Sequence, residues 1–237
     1  MLKRRISEKG IKSRTLYLKV DFTMDENKAS LEALQDIRSM MERSSRFISL
    51  SGLAGVFSGT FALIGAAVAH WVTNQGIWIQ RAQDTEFGTG EILNIDWSVV
   101  LFLCADALLV FVASIAVAYY FSRQKAQKKG QPLWGAYSKQ FLINLSLPLA
   151  TGAVFCLILF SQGLIGLIAP SLLIFYGLAL LNGGKFSFEE ISYLGVSEIA
   201  LGLIALVFKG QGLLFWAAGF GGLHILYGIL MYLRHDR

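Results

Sequence analysis

Charge is what this sequence has least of. Charged residues make up 16% of the chain, against about a quarter in a typical soluble domain. Those present gather at the start of the chain, in one acidic stretch and in one basic stretch. Between them lie apolar runs that a soluble domain of this length could not keep dry. Cysteine is nearly absent. Cys104 and Cys156 both fall inside apolar runs and form no CxxC pair, so neither a thiol redox couple nor a zinc site is indicated; both are read as small buried hydrophobes. HExxH, P-loop and GxGxxG patterns are missing as well. We therefore expect no catalytic residues, no metal and no cofactor.

The basic balance is local. The formal net charge is +5, and residues 1–23 carry seven basic and two acidic side chains, so they hold all of it. This excludes a nucleic-acid surface on the rest of the chain. No apolar h-region follows the basic stretch, so it is not a secretory signal. Met24-Asp25-Glu26-Asn27 opens directly into patterned sequence. The expectation is that translation starts at Met24 and that residues 1–23 are a disordered extension.

What the chain does have is apolar runs of membrane-crossing length. About 20 residues cross the hydrocarbon layer as a helix, and runs this long exclude a barrel. The pattern predicts spans at 47–72, 97–121, 141–160, 164–181, 191–208 and 213–233, with Ser161, Gln162 and Gly163 turning the chain between the third and fourth. An all-α bundle of six transmembrane helices is thus expected, preceded at 24–46 by an amphipathic cytoplasmic helix. In that pre-helix Leu34, Ile37 and Met41 share a face opposite Arg38, Glu42 and Arg46. It suits a membrane surface or a dimer contact.

Lysine and arginine set the orientation. With the N-terminus inside, inner segments hold 19 of them and outer loops 2. The positive-inside rule then places both termini in the cytoplasm. Trp71, Trp78 and Trp97 flank an acidic outer loop, while Lys125, Lys128 and Lys129 lie with Trp134 on the inner side. Those lysines serve as a topology signal or bind anionic lipid. His70 falls at the outer interface and receives no catalytic role.

Small residues mark packing faces. Ser51, Gly55 and Gly59 repeat every four residues in the first span, which lets another helix approach closely. The partner is either within the bundle or in a second copy. Gly195 and Gly202 share a face of the fifth span with Glu198, and Gly221 and Gly228 share a face of the sixth with His224. Pro148 and Pro170 can kink the third and fourth spans.

Three ionisable residues fall within spans: Asp106, Glu198 and His224. Such groups are costly and usually have a partner or a task. The short connection Lys209–Gly212 makes the last two spans antiparallel neighbours. Glu198 and His224 lie nearly equal distances from its centre, so they should meet at mid-depth. The carboxylate there should either take a proton or find the imidazole. Asp106 lies about nine residues into its span, also near mid-depth. The arrangement suits either a structural polar clamp or a proton- or cation-handling transport site. Ser197 lies at the depth of His224, so a Ser–His hydrolase is a third reading. Gly195-Val196-Ser197 lacks the closing glycine of the G-x-S-x-G elbow, and Ser197 points about 100° from Glu198.

Leu34-Gln35-Asp36-Ile37-Arg38-Ser39-Met40-Met41-Glu42-Arg43-Ser44-Ser45-Arg46-Phe47-Ile48-Ser49-Leu50-Ser51-Gly52 resembles the opening of a group of uncharacterised bacterial multi-pass membrane proteins. The resemblance implies a bacterial inner membrane and assigns no activity and no site residue. The leading function class is a non-enzymatic membrane protein that binds or regulates a partner, either a second copy or another membrane protein. The alternative is a small proton- or cation-coupled transporter using Asp106, Glu198 and His224. Reporter fusions check the orientation: after Arg237 and near Lys128 they should read cytoplasmic, and near Glu91 external. An external C-terminus would mean that the last two spans are miscounted.

Overall fold

In a bilayer every backbone N–H and C=O must be satisfied within the chain, and a helix does this residue by residue. The computed structural model describes residues 33–35, 37, 50–74, 97–130, 133–208 and 210–236, and no strand occurs among them. Six of its helical segments are long and apolar enough to cross a membrane, which makes the chain a multi-pass helical membrane protein. Met1–Ser45 and Arg46–Arg237 form separate units. In the first, only 33–35 and 37 are described, all helical and exposed. The proposed extension and start at Met24, most of the pre-helix and most of the acidic loop lie outside the described residues.

The second unit runs α1 (Gly52–Asn74), α2 (Trp97–Lys128), α3 (Ala136–Ser161), a 3-10 turn (Ile165–Leu167), α4 (Ile168–Gly184) and α5 (Glu189–Val207). The sixth crossing is built in three pieces. These are α6 (Gly212–Trp216), a π-helical stretch (Ala217–Leu223) and α7 (His224–His235). Span two thus continues seven residues past its expected end, because the polar run after Phe121 still prefers helix. The expected turn at 161–163 is a Schellman ending. Gly163 takes φ +74°, Leu164 N–H bonds the Leu159 carbonyl at 2.9 Å, and Gly163 N–H bonds that of Phe160 at 3.0 Å. Pro148 lies inside α3. Pro170 falls in the first turn of α4, where its missing N–H goes unneeded, so it starts that helix instead of kinking it.

Two glycine seams hold the unit together. Between α4 and α5, a Cβ on Gly177 would stand 2.5 Å from the Gly195 carbonyl oxygen, and one on Gly195 would stand 2.7 Å from that of Gly177. Gly202 lies against Pro170 and Ile174. Between α1 and the sixth crossing, Gly55 meets Gly228, and Gly59 meets Gly221 and Ile225. The Ser51–Gly59 row therefore seats a helix of its own bundle. The small residues beside Glu198 and His224 do not seat the fifth and sixth crossings on each other, as the shared faces suggested. Gly195 and Gly202 serve α4; Gly221 and Gly228 serve α1. At about 100° per residue, each glycine row lies about 40–60° around its helix from the ionisable residue. One face thus addresses two neighbours.

The outer helices are far less enclosed. α2 rests chiefly on α1, and Leu101, Leu108, Leu109 and Phe111 are more than half exposed.

Two glycines of the sixth crossing allow a stringent check of the seams. A Cβ at Gly228 would lie 2.6 Å from the Val56 nitrogen and 2.8 Å from the Gly52 oxygen, both backbone. A Cβ at Gly222 would meet nothing within 4 Å. Gly228→Ala should lower stability by about 2 kcal/mol, and Gly222→Ala should leave it nearly unchanged. Thermal or denaturant unfolding in detergent measures both. Equal effects would mean that the seam carries no special weight.

Candidate functional site

Midway along the bundle, α5 presents Glu198 and the sixth crossing presents His224. Glu198 is completely buried, with Gly219 of the π-helical stretch against its carboxyl group. A Cβ at Gly219 would stand 2.5 Å from both Glu198 Oε2 and Leu173 Cδ2, so a larger residue would force those side chains to shift. His224 Nδ1 lies 3.4 Å from Glu198 Oε1 and 3.1 Å from the Gly219 carbonyl oxygen. The 3.4 Å contact is long for a hydrogen bond, and neither Glu198 oxygen has a hydrogen-bond partner among the described residues. Its link to the imidazole is therefore mainly electrostatic.

The far side of the imidazole is occupied by a residue that the sequence reading missed. Tyr176 Oη of α4 lies 2.7 Å from His224 Nε2, and the two rings stack at 5.3 Å. Phe220 adds a third ring, 4.9 Å from Tyr176. The Gly219 carbonyl can only accept, so Nδ1 carries a hydrogen. When the ring is neutral, Nε2 accepts from the Tyr176 hydroxyl; when it is an imidazolium, Nε2 donates to it. The result is a short line from carboxyl to imidazole to phenol. The pairing rule that joined Glu198 to His224 would also have found Tyr176. It lies as far before the connection between α4 and α5 as Glu198 lies after it.

Asp106 is not part of this line. It is half-buried on α2 beside Gly65 of α1, where a Cβ would come 3.2 Å from Asp106 Oδ2. Gly55, ten residues earlier on α1, is the residue that touches the His224 carbonyl. That separation is about 15 Å along the helix. Ser197 Oγ bonds the Tyr193 carbonyl at 2.9 Å and Tyr227 Oη at 3.0 Å. Both His224 ring nitrogens face other groups, so no Ser–His dyad is assembled. His70 lies exposed near the end of α1. Cys156 is buried and Cys104 exposed. No group of three or more possible metal ligands occurs among the described residues.

A second polar cluster, also missed, closes one end of the bundle. Asp236 pairs with Lys125 of α2 and accepts from Ser51 Oγ and Gly52 N–H, each at 2.8 Å. It thereby caps the first turn of α1. Burial alone pushes the Asp236 carboxyl up, but the hydrogen bonds from Lys125, Ser51 and Gly52 outweigh it and hold it below the usual carboxylate range. Lys125 Nζ also reaches the Leu50 carbonyl at 2.7 Å and stands 5.0 Å above the Phe188 ring. Glu190 meets Arg234 at 3.1 Å and His235 at 3.2 Å. Alternating crossings had already put these helix ends on one side. What pattern alone did not give was that Lys125 turns inward.

Fold and site together define a polytopic α-helical membrane protein with an acid–imidazole–phenol line across its middle. Comparison of the chain with family models, curated proteins and solved structures finds no match to any of them.

A double-mutant cycle tests the central pair. His224→Ala and Glu198→Ala should each destabilise the protein, and the double variant should cost less than the two singles combined, by about 1 kcal/mol. Strict additivity would dissolve the pair.

Proposed function

We propose that this chain is a non-enzymatic multi-pass protein of a bacterial inner membrane, with both termini in the cytoplasm. It acts by binding or regulating a membrane partner, a second copy or another protein, and does not carry a solute through itself. The observation that carries this reading is the enclosure of Glu198. The residue has no exposed surface and its carboxyl group lies against Gly219, while Asp106, the acid within the second crossing, lies on a different helix pair. A cation path needs coordinating groups in line and open to water. A buried acid–imidazole contact instead holds the fifth crossing against the sixth. The orientation rests on the lysine and arginine bias, and the bacterial membrane on the resemblance at Leu34–Gly52.

One observation favours the alternative, a proton-coupled transporter. The Tyr176–His224–Glu198 line could pass a proton without passing an ion, and a π-helical stretch, a feature frequent at functional sites, lies beside it. Proteoliposomes with a trapped pH dye separate the two. The partner-binding reading expects wild-type protein to relax a pH gradient no faster than empty liposomes, and Glu198→Gln to fold with stability close to wild type. Proton flux in the wild type that Glu198→Gln abolishes would replace it with the transporter.

A further inference from the structure

At the end of α2 nearest Lys125, the helix separates two kinds of basic residue. Ser122, Lys125 and Ala126 turn into the protein. Tyr119, Arg123 and Gln127, spaced four apart, form an exposed row on the other side. The row borders an open surface cavity of about 320 Å³, lined as well by Ala126 and by Leu133 and exposed Trp134 from the segment before α3. No acidic side chain is among its lining residues. Arg123 is therefore the cavity's charge, with Gln127 as a neutral donor and two aromatic rings at its edges.

Depth says what meets it. Counted from Trp97 at the other end of α2, Tyr119 lies about 33 Å along the helix and Arg123 about 39 Å. The hydrocarbon core is about 30 Å thick and the whole bilayer about 40–45 Å. With Trp97 in the opposite interfacial layer, where tryptophan is favoured, Tyr119 falls near the hydrocarbon boundary and Arg123 among the headgroups. Tyrosine and tryptophan favour that boundary. Above it, the outward side of α2 is an uncovered row of leucines and phenylalanines, which acyl chains would follow. A guanidinium binds phosphate through two parallel N–H donors.

We propose that this cavity is a binding site for the headgroup of one anionic phospholipid. Arg123 forks onto the phosphodiester, Gln127 donates a further hydrogen bond, and Tyr119 and Trp134 flank the headgroup where it meets the chains. The proposal is independent of whether the chain binds a partner or moves protons. Exposed Lys128 and Lys129 strengthen attraction to an anionic surface at a distance but do not line the cavity.

Native mass spectrometry of the full chain in neutral detergent, titrated with phosphatidylglycerol or phosphatidylcholine, provides the test. The wild type should retain phosphatidylglycerol about tenfold more tightly than phosphatidylcholine, the size expected of a charge-assisted pair. Arg123→Gln should erase that preference, and Lys128→Gln should keep it within about twofold. Should Arg123→Gln fail to fold, Arg123→Lys keeps the charge but loses the fork, and it should bind measurably more weakly. Four outcomes would overturn the site: no preference in the wild type, full preference in the Arg123 variant that folds, equal loss in Lys128→Gln, or displacement by millimolar inorganic phosphate. The last would mark a free-anion site and not a lipid site.

Discussion

Within hydrocarbon, an apolar side chain gains little by leaving lipid for a neighbouring helix, because both surroundings are equally oily. Association must then come from close packing and from polar contacts. Glycine supplies the first here. At Gly177 and Gly195, and again where Gly228 meets the backbone of α1, no side chain stands between the two main chains. Such proximity brings many atoms to van der Waals distance at once. Each seam also fixes the rotation of its helices, since a slight turn would drive a side chain into the opposing backbone.

That fixed rotation is what makes the polar line possible. With α5 seated on α4 through Gly195 and Gly202, Glu198 is directed toward the sixth crossing. With that crossing seated on α1 through Gly221 and Gly228, His224 is directed back toward α5. Tyr176 then follows from its place on α4. The two polar clusters differ in how fully their groups are satisfied. Asp236 is met by an ammonium, a hydroxyl and a backbone N–H. Glu198, in the middle of the protein, has only a distant imidazole edge. Buried acceptors left this short of donors are uncommon and costly, so the imidazole contact and the close packing of the seams together offset the cost of burying the carboxyl group.

Much of this was legible in the sequence, and for identifiable reasons. Apolar run length marked the six crossings, since bilayer thickness leaves little freedom. The short connection at 209–212 put Glu198 and His224 at one depth. The turn at Gly163 was announced by its composition. Which neighbour each glycine row would face was less accessible. A row of small residues says that something approaches closely, not what, and a 40–60° offset is enough to send it to another helix. Asp106 was grouped with the central pair because it was counted only along its own span; its partner helix decides its surroundings. The π-helical stretch had no strong signal beyond Gly219, Gly221 and Gly222, which permit many backbones. Lys125 read as a loop charge because apolar run length ends the span at Phe121, although the polar run that follows still favours helix.

The join between α1 and the sixth crossing carries a consequence for synthesis. Ser51 and Asp236 are 185 positions apart. A ribosome adding residues in order, at about 5–20 per second, inserts α1 long before it completes the partner of α1. During that interval, on the order of ten seconds or more at such rates, the Gly55–Gly59 groove has only lipid or a passing helix to fill it. α1 is thus held open on that face while the intervening crossings are made, and the arrival of the sixth crossing sets the time at which this seam closes.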